Sequence, residues 1–136
     1  MPIVEWSPRL HIGIAQVDQQ HEHLTTLINQ LYETHQSGED RKALEPIVNE
    51  INDYAQYHFS EETKLMEQFG YPGIEEHKVQ HDDFIVKSVE YLFDYLDGKV
   101  EALSVEMLDY LTDWWVNHIS KVDQEMGEYL KSKGAS

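Results

Sequence analysis

Histidine recurs on the apolar stripe of four separate helical segments, and no other feature of the sequence constrains the fold as strongly. In each segment apolar residues return at steps of three and four, the spacing of one helix face. The histidines on these stripes are His21, His58, His77, His81 and His118. An imidazole buried without a partner costs on the order of 1–3 kcal/mol, and five of them cannot satisfy one another. The pattern therefore predicts a buried cation that uses their lone pairs.

The same stripes predict four helices, over about 19–37, 41–69, 74–97 and 104–131. Short turns separate them, so consecutive helices should run antiparallel. We predict an all-α, up-down-up-down antiparallel four-helix bundle that forms a single domain over 1–136. An extended arm over about 1–17 should dock on it through Trp6 and Ile14. The residues expected to start or stop helices are Asp18, Asp40 and Ser104 as N-caps and Asp97-Gly98-Lys99 as a stop.

The second helix carries the clearest metal-binding pattern. Its predicted inward stripe reads Ile47, Ile51, Tyr54, His58, Glu62, Leu65 and Phe69. His58 and Glu62 are four residues apart and so lie on one helix face, as do His77 and His81 on the third helix. Imidazole and carboxylate are ligands suited to iron or zinc. Because the chain has no cysteine, thiolate zinc sites and iron–sulfur clusters are excluded.

The charge balance indicates which partners are unsuited to this chain. It has 26 acidic and 10 basic residues, a formal net charge of −16. Such a surface repels phosphate backbones and anionic membranes, so we expect neither a nucleic acid nor a membrane as partner. No segment has the long apolar run of a membrane span or the basic and apolar pattern of a secretory signal. We therefore expect a cytoplasmic protein.

Several motifs, in order and at this spacing, resemble the hemerythrins, and among them the bacterial single-domain form. The resemblance extends from residue 3 to about residue 130. The segments that carry it are Trp6, Gly13-Ile14, Asp18–His21, His58–Glu62, Tyr71–Gly73, His77–His81 and Trp114–Asp123.

The resemblance implies a non-haem di-iron centre that binds dioxygen reversibly, for storage, delivery or sensing. One iron would be held by His77, His81 and His118, and the other by His21 and His58. Glu62, Asp123 and an oxo or hydroxo group would bridge the two. These donors fill all but one position of two six-coordinate irons, and the open position lies on the two-histidine iron.

Asp123 fits this ligand set only if its helix is irregular. It lies five residues after His118, about 140° away on an ideal α-helix. We therefore expect a local distortion between them, such as a π-bulge.

Two positions depart from the family pattern. Trp115 stands where the family commonly has a leucine that lines the oxygen pocket, to which we also assign Ile119. Met126 stands where the family often has a tyrosine, so a hydroxyl is missing there. Both changes leave the predicted ligands intact.

Two other functions remain open at this point. The same di-iron centre could turn over peroxide or nitric oxide as an enzyme, although the predicted core offers no evident general acid or base. A structural metal site, such as zinc, is the third alternative, but structural zinc sites are closed and tetrahedral. We expect a monomeric oxygen-binding protein rather than an enzyme, and its protein partner is unknown.

Overall fold

Four long helices make up the protein in this computed structural model, which describes residues 4–38, 41–98 and 105–136. Helix α1 spans Ala15–Gln36 and helix α2 spans Arg41–Phe69. Helix α3 is α-helical over Ile74–Phe84, π-helical over Ile85–Val89 and α-helical again over Glu90–Leu96. Helix α4 has the same three-part form, with Val105–Asn117, a π-helical turn over His118–Asp123, and Gln124–Ser132. The predicted all-α four-helix bundle is confirmed.

The described residues contain no strand, and none of their helices is long and apolar enough to cross a membrane. The turn between α2 and α3 begins at Gly70, which has a φ of 67°, a conformation that favours glycine. Three predicted boundary residues, Asp40, Lys99 and Ser104, lie outside the described residues.

The N-terminal arm packs against the bundle, as predicted. The amide of Asn29 on α1 pairs with Val4, donating to its carbonyl and accepting from its N–H, both at 2.9 Å. Trp6 packs on the main core and Ile14 is buried. The arm is less extended than predicted, because Pro8–Leu10 forms a turn of 3₁₀-helix.

The prediction that Asp18 caps α1 is wrong. The helix begins at Ala15, four residues earlier than expected, and Asp18 lies in its first turn. Its carboxylate instead accepts hydrogen bonds from the backbone N–H groups of Ile12 and Gly13, at 2.7 and 3.1 Å. Asp18 therefore ties the arm to the helix, and a carboxylate there also suits the positive end of the helix dipole.

Two apolar cores fill the bundle, and the histidine-bearing positions lie between them. On α1, Val17 belongs to the smaller core and Leu24 to the larger, and His21 lies between them. On α2 the flanking residues are Phe59 and Met66, and on α4 they are Ile119 and Met126. The α2 stripe differs from the prediction at three places. Val48, Ala55 and Met66 are buried, whereas the predicted Ile47, Tyr54 and Leu65 are only partly buried. A polar layer is thus enclosed by apolar packing on both sides.

We predict that Asp18→Ala lowers the stability of the protein by about 2 kcal/mol, because two backbone N–H groups lose a charged acceptor. Urea unfolding of the variant measures this loss. Glu22→Ala, which removes an exposed carboxylate from the same helix, should change stability by less than about 0.5 kcal/mol. Equal stabilities of the two variants would contradict the tie between arm and helix.

Candidate metal centre

All seven residues predicted as ligands meet in the buried layer between the two cores. Their donor atoms form two overlapping groups, and within each group the atoms lie within 4.8 Å of one another. Both groups contain Glu62 and Asp123. The first adds His77, His81 and His118, and the second adds His21 and His58. The layer therefore has a side with three histidines and a side with two, joined by two shared carboxylates.

The two-histidine side is arranged around one oxygen of each carboxylate. His21 Nε2 lies 3.0 Å from Glu62 Oε2 and 3.0 Å from Asp123 Oδ2. His58 Nε2 lies 2.8 Å from the same Glu62 oxygen.

The three-histidine side is arranged around the other two oxygens. His77 Nε2 lies 3.2 Å from Glu62 Oε1 and 2.9 Å from Asp123 Oδ1. His81 Nε2 lies 3.1 Å from Glu62 Oε1, and His118 Nε2 lies 3.1 Å from Asp123 Oδ1. Each carboxylate thus presents one oxygen to either side, the arrangement that a bridging ligand needs.

The π-helical turn over His118–Asp123 brings Asp123 into the layer. In a π-helix the repeating hydrogen bond joins residues five apart, so His118 and Asp123 lie about one turn apart on the same face. The predicted distortion between these residues is confirmed.

Several buried ligand atoms in the layer lie within 2.8–3.1 Å of one another but make no well-directed hydrogen bond. They include Nε2 of His58, His81 and His118 and both carboxylate oxygens of Asp123. Buried polar atoms in proteins are nearly always paired, and lone pairs left without a donor are what a metal ion would use. The donor set fits the implied group, since nitrogen and oxygen ligands of this kind suit iron or zinc.

Two glutamines orient the histidines from outside the layer. The side-chain oxygen of Gln20 lies 2.6 Å from Nδ1 of His58, and that of Gln80 lies 3.0 Å from Nδ1 of His118. A carbonyl oxygen there accepts Nδ1–H and leaves the Nε2 lone pair directed into the layer. The sequence analysis missed both residues. The available signal was that each glutamine immediately precedes a histidine of the layer and comes 38 residues before the histidine it contacts.

Aromatic rings cover the histidines differently on the two sides. On the three-histidine side, Phe59 stacks on His81 and Trp114 stacks on His118. On the two-histidine side the fully buried Trp115 ring stands nearly perpendicular to His21 and His58, with centroids 5.5 and 6.1 Å apart. Trp115 therefore lies beside the imidazoles of the two-histidine side, where the pocket is predicted, and Ile119 is also fully buried.

Proton binding in the layer is strongly shifted. Burial lowers the pKa of His21 and of His77, but the neighbouring carboxylates of Asp123 and Glu62, which accept from the protonated imidazoles, outweigh it and raise both to about 9. Burial raises the pKa of Glu62, yet the facing histidines, His58 first, bring it well below its usual range. Burial and the Glu62 charge raise the pKa of Asp123, but His118 and His21 bring it well below normal. The pKa of His81 is lowered, chiefly by burial.

Comparison with known proteins gives one consistent family. Residues 12–130 match the model of the hemerythrin HHE cation binding domain. Bacteriohemerythrin of Stenotrophomonas maltophilia is 35% identical over 97% of this chain and 84% of its own length. That of Clostridium acetobutylicum is 30% identical over 88% of this chain and 95% of its own.

Solved structures of hemerythrin share the fold. The wild-type crystal structure aligns with a TM-score of 0.85 at 26% identity, covering 94% of this chain and 98% of that one. A leucine-to-tyrosine mutant of hemerythrin aligns with a TM-score of 0.86 at 26% identity, covering 96% and 98%.

We predict that the metal-free protein loses stability as the pH rises from about 6.5 to 9. The raised pKa values of His21 and His77 stabilise the fold fully below 6.5, their value when unfolded, and this contribution disappears as the pH passes 9. The lowered pKa values of Glu62 and Asp123 change the stability only at acidic pH. The lowered pKa of His81 makes the stability increase as the pH rises to 6.5, the pKa of an unfolded histidine. Thermal unfolding of chelator-treated protein should therefore show a maximum near pH 6.5. In metal-loaded protein the metal replaces those protons, so the alkaline decline should vanish.

We also predict that Gln20→Leu weakens metal binding by about 10- to 100-fold, because His58 loses the acceptor that fixes its tautomer. Competition with a chromophoric chelator measures the affinity. Gln19→Leu, which changes the neighbouring exposed glutamine, should leave it unchanged. A similar loss in both variants would contradict the role given to Gln20.

Proposed function

The chain belongs to the hemerythrin family, and from that premise we propose that it is a non-haem di-iron protein that binds dioxygen reversibly. The observation that carries the proposal is the unequal division of the centre. Two shared carboxylates face three histidines on one side and two on the other. A pair of ions held in this way has one coordination position that the protein leaves open.

We assign the residues as follows. His77, His81 and His118 hold one iron, and His21 and His58 hold the other. Glu62 and Asp123 would bridge the two, together with an oxo or hydroxo group. When bound, ferrous iron supplies the electrons and the coordination position that dioxygen requires.

The chain itself contributes exclusion of water and fixed ligand geometry. The predicted ligands are at most 4% exposed, and Trp115, Ile119 and Met126 in the adjoining apolar cores are completely buried. The low pKa values of Glu62 and Asp123 keep both carboxylates ionised and able to bridge. Gln20 and Gln80 fix two imidazoles from behind. Such an enclosure favours binding a small apolar gas over reaction with water.

The buried residues also support binding over turnover. Within the described part of the chain, every buried histidine and carboxylate is one of the seven predicted ligands, and the buried Tyr95 belongs to the larger apolar core. The described core therefore offers no spare imidazole or carboxylate as general acid or base for an enzymatic step on peroxide or nitric oxide. That the protein is a monomer and lies in the cytoplasm remains a prediction.

We predict that anaerobic loading with ferrous iron gives two ions per chain and that air then produces a visible absorption band which disappears when oxygen is removed. His58→Leu should lose both the band and one iron per chain, because the two-histidine side keeps a single imidazole. His23→Leu, which removes an exposed histidine of the same helix as His21, should behave like the wild type.

Other outcomes would reject this proposal. A ferrous protein that stays colourless in air would contradict oxygen binding. Sustained consumption of peroxide or nitric oxide with an electron donor, abolished by His58→Leu, would favour the enzyme. A single tightly bound zinc ion that iron cannot replace would favour a structural site.

A further inference from the structure

The two sides of the centre are related by an approximate twofold symmetry that exchanges Glu62 with Asp123. His21 and His77 each contact both carboxylates. His58 and His118 each contact the carboxylate of their own helix. His81 contacts Glu62 Oε1 and has no counterpart among the histidines that the structure describes. The missing counterpart marks the open side of the centre.

Helix register shows which residue takes the place of that counterpart. His81 follows His77 by four residues on α3, and the residue that follows His21 by four on α1 is Thr25. Thr25 is therefore one turn beyond His21, on the same helix face. It is 2% exposed, so its hydroxyl faces the interior of the bundle.

The hydroxyl of Thr25 accepts a hydrogen bond but donates none in the described parts of the chain. Its oxygen accepts the indole N–H of Trp115 at 2.8 Å, and both residues are buried. By contrast, Thr26, Thr63 and Thr112 each donate to the backbone carbonyl four residues earlier. A buried hydroxyl proton that has no acceptor is unfavourable. The proton of Thr25 is therefore available to an acceptor atom on a bound ligand.

Trp115 places the hydroxyl on the two-histidine side. Its ring stands against both His21 and His58, while its N–H reaches Thr25. Because the indole occupies one lone pair of the threonine oxygen, the O–H is directed away from the indole.

We propose that Thr25 donates a hydrogen bond to the ligand at the open position of the two-histidine iron, and that Trp115 holds the threonine for this purpose. The inference rests on the proposed di-iron function. The donor favours ligands that are anionic or become so on binding, because a hydrogen bond to a charged acceptor is stronger than one to a neutral acceptor. Thr25 thus acts as a specificity-determining residue in a pocket that is otherwise apolar.

The test uses azide as the anionic probe on the iron-loaded ferric protein. Visible absorption titration gives its affinity, and we expect Thr25→Val to weaken it about tenfold. Thr25→Ser keeps the hydroxyl and should bind azide like the wild type. Thr112→Val removes another buried threonine hydroxyl, one that bonds its own helix, and should also bind like the wild type.

Infrared spectroscopy tests the hydrogen bond without any variant. The stretching frequency of bound azide should shift when the wild-type protein is transferred to D₂O, and the shift should be lost in Thr25→Val. In the metal-free protein, the indole N–H resonance of Trp115 should move in Thr25→Val and stay in Thr112→Val.

The outcomes separate this inference from the proposed function. An azide band that forms with unchanged affinity in Thr25→Val, or without a D₂O shift in the wild type, overturns the role of Thr25 and leaves the di-iron centre standing. Iron-loaded protein that gives no azide band at all overturns both.

Discussion

The structure depends on the compensation of two carboxylates buried completely inside the bundle. Glu62 and Asp123 are inaccessible to solvent, and a buried charge without a partner costs several kcal/mol. The compensation comes from imidazoles on all four helices, at distances of 2.8–3.2 Å. Either protons on those imidazoles or metal ions between them can supply the positive charge. Folding and metal binding are therefore coupled, because both balance the same pair of charges.

The placement of this polar layer explains the division of the apolar core. An apolar core tolerates sliding of one helix against another, whereas the carboxylates accept only one register in which each oxygen meets its histidines. The π-helical turn before Gln124 shows how strongly that register is specified, since the fourth helix gives up regular hydrogen bonding to place Asp123. Apolar packing above and below excludes the water that would weaken these interactions.

The hydrophobic periodicity of the sequence predicted those structural features that depend on a single helix. It identified the helices and six of the seven residues that meet in the layer. Asp123 entered through the resemblance to the hemerythrins, and helix geometry then required the distortion before it. Periodicity failed where the outcome depends on another segment. The prediction that Asp18 caps α1 fails because its carboxylate accepts from Ile12 and Gly13, which requires the arm to fold back on the helix. Gln20, Gln80 and Thr25 each contact a residue of another helix, and the periodicity of a single helix does not encode such contacts.

The open coordination position that we propose arises from a small departure from symmetry. The two halves of the bundle use matching parts, because Gln20 and Gln80 each serve a histidine 38 residues later and each half contributes one carboxylate. A histidine at the position of Thr25 would complete both sides equally and leave no position for a gas. Threonine is too short to reach a metal as His81 does, yet it offers a proton to whatever binds there. The tryptophan that fills the remaining space also holds that threonine, so the exclusion of water and the polarity of the pocket depend on the same pair of side chains.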